Sequence, residues 1–213
     1  MPDAAAHSPP VLAYPLKDAL YLNLTSSCTL ACIFCPKIRD RDFMVGSFDL
    51  RLSFPPSLED VWQAAVAQDL RGRSEVVFTG FGEPTHRLEV MLELARRLKR
   101  EGVLRVRLDT DGLANLREGR NVVPELAAAG VDAMSVSLNA PDSATYARLC
   151  PSRYGADAYQ ASCEFIRAGL AAGLEVWASC VALPELAEGA CRAVAESLGA
   201  RFRWRPYDRL GRL

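Results

Sequence analysis

The sequence is poor in the residues that usually complete a zinc site or a disulfide framework. It has only two histidines, His7 and His86, and seven cysteines, an odd number with three close together. An odd, clustered set does not fit a disulfide framework and indicates a reducing compartment with one metal site. A structural zinc site needs four ligands, and no second pair such as C-x2-C is present to complete one.

The sequence also lacks an excess of charge of one sign and a long apolar run. It has 25 basic and 26 acidic residues, which gives no argument for a nucleic-acid or membrane-surface partner. No apolar run approaches the roughly 20 residues of a membrane-spanning helix. The N-terminal residues lack the basic start and apolar stretch of a secretion signal. We therefore expect a cytoplasmic protein.

The length and the composition predict one domain. A chain of 213 residues, half of them hydrophobic, can bury a sizeable core. Residues 1–19 contain four prolines, which predicts an irregular N-terminal arm, and the domain is expected over residues 20–213.

Strand-like and helix-like segments alternate along this domain. Six strands are predicted at 20–25, 75–79, 103–108, 133–138, 175–183 and 201–205, with helices between them. A polar segment, 38–56, is predicted to be a long loop that folds over the functional site. Alternating strands and helices indicate a parallel sheet with right-handed crossovers, and six units are too few for an eight-stranded barrel.

Three cysteines, Cys28, Cys32 and Cys35, follow the first predicted strand in a C-x3-C-x2-C array. A loop this short folds back on itself, so the three thiolates can converge on one metal centre. Soft thiolates suit an iron-sulfur cluster, and a 4Fe-4S cube held by three cysteines leaves one iron open. The bare spacing of Cys32 and Cys35 also fits a thiol redox protein. The four other cysteines stand alone and are expected to pack as small hydrophobic side chains: Cys150, Cys163, Cys180 and Cys191.

Other polar residues also fall where predicted strands end. In a parallel barrel the functional groups gather at the carboxyl ends of the strands, which predicts a single active face. The residues at these ends are Gly80, Gly82, Glu83, Asp109, Thr110, Asp111, Ser137, Asn139, Arg203, Arg205 and Tyr207.

Four phrases of the sequence together resemble the radical S-adenosylmethionine (radical SAM) enzymes, and most closely the small TatD-linked radical SAM subgroup. They are the cysteine array with its preceding Leu-Asn-Leu-Thr-Ser-Ser, Gly-Phe-Gly-Glu-Pro at 80–84, Ser-Val-Ser-Leu-Asn-Ala at 135–140 and Phe-Arg-Trp-Arg-Pro-Tyr at 202–207. The resemblance covers residues 20–207 and implies an α/β fold, a partial (βα)6 TIM-type barrel.

The resemblance also implies a mechanism. Cys28, Cys32 and Cys35 would hold a 4Fe-4S cluster whose open iron is chelated by S-adenosylmethionine. One electron, from a reductant such as flavodoxin or ferredoxin, would cleave this cofactor. The resulting 5'-deoxyadenosyl radical would abstract hydrogen from an unknown small-molecule or protein substrate.

Several residues would bind S-adenosylmethionine by the same resemblance, and each has a structural alternative. Phe34 would pack near the adenine or be a core aromatic residue. Glu83 would accept hydrogen bonds from the ammonium group or cap the following helix. Asp111 stands where the family has asparagine, and would bind the cofactor or substrate or be a turn carboxylate. The other expected cofactor-binding residues are Gly80, Gly82, Asp109, Ser137 and Asn139, the last two with strand-end hydrogen bonding as the alternative.

Two further functions remain open at this point. A glycyl-radical activase is also short and has one cluster, and it would dock a large protein over an open barrel. A non-catalytic iron-sulfur electron carrier is disfavoured by the missing fourth cysteine and by the Glu83 motif. Arg203 and Arg205 alternate on one face of the last strand, where they would clamp an anionic substrate or stay solvated.

Overall fold

The computed structural model describes residues 9–207, in which helices pack against a mostly parallel sheet. The strands are β1 Ala13–Leu16, β2 Ala19–Asn23, β3 Met44–Val45, β4 Phe48–Asp49, β5 Val76–Thr79, β6 Val106–Thr110, β7 Ala133–Ser137, β8 Glu175–Val181 and β9 Arg201–Arg205. The helices are α1 Pro36–Arg39, α2 Leu58–Val66, α3 Leu88–Arg100, α4 Ala114–Glu118, α5 Val123–Ala128, α6 Ser143–Leu149, α7 Asp157–Ala171 and α8 Glu188–Ser197, with a 3-10 turn at Pro84–Arg87.

The main sheet has the strand order β1-β2-β5-β6-β7-β8-β9. All neighbours from β2 to β9 are parallel, and only β1 runs antiparallel to its neighbour. The predicted partial (βα)6 barrel is confirmed. The register brings the carboxyl ends of β2, β5 and β6 to one edge, where Asn23 lies opposite Thr79 and Phe78 opposite Leu108.

The irregular arm predicted over residues 1–19 is wrong where β1 forms. Pro15 lies within β1 and faces Leu20 of β2. A proline lacks the N–H that a central strand needs, but β1 is the edge of the sheet, where this loss is tolerated. Asn23 also ties down the segment before β1, because its side-chain amide donates to the carbonyl of Val11 over 3.0 Å. The rest of the predicted arm, residues 1–8, and residues 208–213 of the predicted domain lie outside the described residues.

The polar segment 38–56 is mostly loop, as predicted, but it contains the end of α1 and the small β3–β4 hairpin. It packs beside the predicted site. The backbone N–H of Leu52 donates to the hydroxyl of Ser26 over 3.0 Å, and the Phe43 ring contacts the Phe81 ring edge-on.

Apolar residues that alternate along the strands form the main core under the helices. On β6, Val106 and Leu108 are fully buried on the helix side, while Arg107 and Asp109 point to the inner face of the barrel. Helix α2 begins with the predicted cap at Ser57, which forms a capping box with Asp60. Helix α3 buries six residues at helical spacing: Leu88, Met91, Leu92, Leu94, Ala95 and Leu98.

A second, smaller apolar cluster lies beneath the cysteine loop. It includes Leu30, Leu113, Tyr146, Leu149 and Cys150, all buried. The side chains of Cys28, Cys32 and Phe34 pack against it from the loop. Within residues 9–207 no helix is long and apolar enough to cross a membrane.

Replacing Leu94 by alanine tests the main core. Leu94 is fully buried in α3, so Leu94→Ala is expected to lower the free energy of unfolding by about 2–5 kcal/mol. Leu104, which is 86% exposed, is the control, and Leu104→Ala is expected to change it by less than about 0.5 kcal/mol. Urea denaturation measures both, and equal effects would contradict the position of the core.

Candidate active site

The cysteine loop is held from two sides by backbone hydrogen bonds. On one side Ala31 and Ile33 donate to the carbonyls of Pro151 and Leu149, over 2.8 and 3.0 Å. On the other side the N–H of Glu83 donates to the carbonyl of Ser27 over 2.8 Å. These bonds fix the loop between the end of β5 and the end of α6.

The three predicted ligands all lie on this loop and are partly buried. Burial, and next the carboxylates of Asp111 and Glu83, raise the pKa of the Cys28 thiol to about 12. Burial also raises the pKa of Cys35. Metal binding must therefore displace protons from these thiols.

The thiols do not converge as they stand. Among the described residues, no three Cys, His, Asp or Glu side chains have the arrangement of a metal site. The neighbouring Cys150, and next burial, raise the pKa of the Cys32 thiol well above its ordinary value. Three soft thiols on one short loop fit an iron-sulfur cluster by their chemistry.

The carboxylate of Glu83 connects the ends of β5 and β6. It accepts hydrogen bonds from the backbone N–H and the hydroxyl of Thr85, over 3.1 and 2.7 Å. It also accepts from the hydroxyl of Thr110 and the N–H of Asp111, over 2.9 and 2.7 Å. The structure thus shows the capping interaction that was one of its two expected roles. Oε1 accepts three of these bonds and Oε2 accepts one, so Oε2 can accept from one further donor.

Gly80 and Gly82 allow the close contacts of this turn. Gly80 has a φ of +142°, and a Cβ there would lie 2.7 Å from the side-chain oxygen of Asn23. A Cβ on Gly82 would lie 2.6 Å from the carbonyl oxygen of Ser27 and nearer still to that of Thr25. The glycines therefore let the turn after β5 lie directly against the start of the cysteine loop.

Asp111 is a buried carboxylate with one unpartnered oxygen. Its Oδ1 accepts from the N–H of Leu113 over 2.9 Å, which is the turn interaction expected as one alternative. Its Oδ2 is buried and has no hydrogen-bond partner in residues 9–207. Burial and the nearby Glu83 carboxylate raise the pKa of Asp111 well above the ordinary value.

Two more buried polar atoms without a partner lie near the cysteine loop. Asn139, in a left-handed conformation with φ of +54°, leaves its Oδ1 unpartnered in the described part of the chain. The hydroxyl of Tyr146 is also unpartnered there, and burial, with Cys150 and Asp111 nearby, raises its pKa. Asn139 was predicted from the sequence, but Tyr146 was not, because a tyrosine in a helix reads as an ordinary core residue.

The remaining predicted residues have mixed surroundings. Asp109 forms an ion pair with Arg107, which also binds Glu75 over 2.9 Å. Burial raises the pKa of Asp109, and the positive charge of Arg107 opposes this shift. Ser137 ends β7 half-buried opposite Ser179, and Phe34 packs on the apolar cluster under the loop, as its structural alternative expected.

The last strand points its arginines to the inner face. Phe202 and Trp204 pack on the main core, so Arg203 and Arg205 face the other way. Arg203 lies 4.8 Å from the ring centre of Trp177. Arg205 is close enough to Asp109 and Cys32 for their charges to act on it, although burial lowers its pKa. Tyr207 bonds instead to Arg39 of α1.

His86 is a residue of the site that the sequence did not reveal. Its two ring nitrogens lie 2.8 Å from the hydroxyl of Thr29 and 3.2 Å from that of Ser27. It therefore ties the first half of the cysteine loop to the turn after Glu83. A lone histidine gives no signal for such a role until its neighbours are known.

The fold and the cysteine loop agree with comparisons to known proteins. The sequence model of the Radical SAM superfamily matches residues 22–198. The chain belongs to the Radical SAM superfamily, a family of enzymes.

The relatives of this chain carry names of different enzyme activities. GTP 3',8-cyclase of Mycolicibacterium smegmatis is 32% identical over 155 residues, covering 68% of this chain and 40% of the cyclase. A probable RNA methyltransferase of Azoarcus sp. strain BH72 is 37% identical over 78 residues, covering 37% of this chain and 20% of that protein. The chain thus spans at most two fifths of the length of these two relatives.

A solved structure confirms the fold. SuiB of Streptococcus suis, bound to S-adenosylmethionine, has a TM-score of 0.62 and 19% sequence identity to this chain. The match covers 92% of this chain and 41% of SuiB.

Substituting Gly82 tests the contact between the turn and the cysteine loop. Gly82→Ala is expected to destabilise the protein by about 1–3 kcal/mol, because the carbonyls of Thr25 and Ser27 belong to the backbone and cannot move aside freely. Gly189 in α8 has open space around it, so Gly189→Ala is expected to stabilise by about 0.5–1 kcal/mol. Thermal or urea unfolding would show the opposite signs, and a neutral Gly82→Ala would contradict the close contact.

Asp111→Asn tests the buried charge in the metal-free protein. The raised pKa means that the folded chain holds this proton more tightly than the unfolded chain, so native stability falls as pH rises above about 4. Asp111→Asn has no carboxyl group to ionise at this position, so its stability does not fall in this way. Its free energy of unfolding is expected to exceed that of the unmodified protein by about 1–3 kcal/mol at pH 7 and by less at pH 5. Urea midpoints across this range measure the difference, with exposed Asp18→Asn as the control. A gain that does not grow with pH would contradict the assignment.

Proposed function

We propose that this protein is a radical S-adenosylmethionine enzyme with a 4Fe-4S cluster on Cys28, Cys32 and Cys35. The observation that carries the proposal is that two buried polar atoms, without a partner among residues 9–207, lie near the cysteine loop: Asp111 Oδ2, close to Cys28 and Cys32, and Asn139 Oδ1, whose amide contacts Cys150. Buried polar groups are normally hydrogen-bonded, so unpartnered ones beside a candidate metal centre are suited to a polar ligand.

The chain's own residues would bind and orient the cofactor. Bound together, the cluster and S-adenosylmethionine would supply radical chemistry that removes hydrogen from the substrate. Asp111 and Asn139 offer acceptors for ammonium and hydroxyl groups, and Tyr146 offers a hydroxyl. Glu83 would hold the strand ends that carry these residues, and its Oε2, which accepts one hydrogen bond, would also accept from the ammonium group of the cofactor.

The narrower assignments are part of the same proposal. The phrases quoted from the sequence support the TatD-linked subgroup, and the electron donor would be a flavodoxin or a ferredoxin in the cytoplasm. The cyclase and methyltransferase names of two relatives point to no common substrate. The 38–56 segment, which packs beside the site through Leu52 and Phe43, would contribute to substrate choice.

Anaerobic reconstitution with iron and sulfide tests the proposal. After addition of dithionite and S-adenosylmethionine, the protein is expected to release 5'-deoxyadenosine. Cys35→Ala should lose both bound iron and product to background. Cys163→Ala, which changes a buried cysteine of α7 far from the loop in sequence, should keep both.

Metal analysis and the visible spectrum separate the outcomes. About four irons per chain with a product that disappears in Cys35→Ala supports the proposal. Zinc in place of iron, or a cluster that survives Cys35→Ala unchanged, would contradict the assignment of the three cysteines.

A further inference from the structure

The segment that follows α6 pairs with the cysteine loop in a short antiparallel arrangement. Leu30 and Ser152 form an antiparallel bridge. Ala31 donates to Pro151 over 2.8 Å, and Ile33 donates to Leu149 over 3.0 Å. All three pairs have the same antiparallel register, and this register places Cys32 directly opposite Cys150.

Cys32 and Cys150 occupy the kind of antiparallel pair in which opposite side chains lie closest. The hydrogen bonds lie on either side of it, at Ala31 and Ile33, so Cys32 and Cys150 form a non-hydrogen-bonded pair. In such pairs the Cα atoms lie about 4.5 Å apart and the side chains point to the same side. A disulfide needs Cα atoms about 4.4–6.8 Å apart, so this backbone can accept one.

The surroundings of the two cysteines differ. Both side chains belong to the apolar cluster beneath the cysteine loop, Cys150 as a buried member and Cys32 packed against it. Cys150 is only 1% exposed, and the side-chain amide of Asn139 donates to its sulfur over 3.6 Å. Cys32 is partly exposed and Cys150 is buried, so a small oxidant is expected to react with Cys32 before Cys150.

We propose that Cys32 and Cys150 form a reversible disulfide when the metal-free chain meets a peroxide. The Cys32 sulfur attacks the peroxide oxygen, which breaks the O–O bond and leaves a sulfenic acid and one water. The Cys150 sulfur then attacks the sulfenic sulfur, which forms the S–S bond and releases a second water. Two thiols are oxidised and one hydrogen peroxide is reduced to two waters.

The disulfide would have two consequences: it would protect Cys32 from further oxidation, and it would prevent metal binding by the cysteine loop. Cys32 could not be oxidised further to the irreversible sulfinic acid while it is bonded to Cys150. Cys32 also could not serve as a metal ligand with Cys28 and Cys35 until a dithiol reduced the bond. This second consequence rests on the proposed function, whereas the disulfide itself does not.

The competing product is a disulfide between Cys32 and Cys35. Their C-x2-C spacing favours it, and Cys35 donates its N–H to the Cys32 carbonyl over 3.0 Å. The structure favours Cys150, because the backbone register places it directly opposite Cys32. Cys180 and Cys191 are both fully buried in the main core, away from an oxidant.

Peptide mapping distinguishes these products. The full-length metal-free chain is treated with one equivalent of hydrogen peroxide, unfolded in urea, alkylated with iodoacetamide and digested with trypsin without reduction. Trypsin yields peptide 18–37 with three cysteines and peptide 149–153 with Cys150 alone. We expect these two peptides to be joined through Cys32, with alkylated thiols falling from seven to five per chain. An internal Cys32–Cys35 bond with Cys150 fully alkylated would overturn the proposal.

Iron uptake gives a second measurement. The oxidised chain should take up at least several-fold less iron than the reduced chain, and dithiothreitol should restore it. With an excess of hydrogen peroxide, Cys150→Ser should accumulate sulfinic acid at Cys32, and dithiothreitol should fail to restore its iron uptake, whereas the unmodified protein treated alike should recover. Cys163→Ser is the matched control and should behave as the unmodified protein. Equal rescue in Cys150→Ser would overturn the protective role.

These measurements also separate this proposal from the proposed function. If the two peptides are joined but the reduced chain takes up no iron, the disulfide is supported and the cluster assignment is contradicted. If the chain binds a cluster but the two peptides are never joined, the cluster is supported and the disulfide is contradicted.

Discussion

The carboxylate of Glu83 is the interaction on which the site depends. Its oxygens hold the turn after β5 and the residues after β6, while its own N–H holds the start of the cysteine loop after β2. Three strand ends that are far apart in sequence are therefore fixed by one buried residue. Removing such a group would leave several donors unpaired at once, which is more costly than the loss of any one hydrogen bond.

The buried polar atoms around the loop form a site that is organised before a ligand binds. An unpartnered buried acceptor costs free energy in the folded protein, and Asp111 and Asn139 each bear this cost. A ligand that supplies hydrogen-bond donors would recover part of it on binding. Stability and ligand affinity are thus opposed at these positions, as is common where binding sites are built into a fold.

Much of this organisation could be predicted from the sequence, and the limits have physical reasons. The alternation of strands and helices, the cap at Ser57 and the cysteine array are local patterns. The pairing of Cys32 with Cys150 depends on a register between segments 118 residues apart, which no local pattern encodes. Pro15 was misleading because proline excludes a residue from a central strand but not from the sheet edge. The sequence also could not tell that Glu83 accepts hydrogen bonds from Thr110 and Asp111 at the end of β6.

The last strand leaves one edge of the main sheet without a neighbour in the described residues. Open strand edges invite pairing with the edges of other chains, and proteins commonly prevent this with charge and proline. β9 carries Arg201, Arg203 and Arg205 in alternation, and Pro206 follows it. Two copies meeting at this edge would bring like charges together. The same residues that face the interior of the barrel therefore also oppose edge-to-edge aggregation, so substitutions chosen to alter the interior should be checked for solubility.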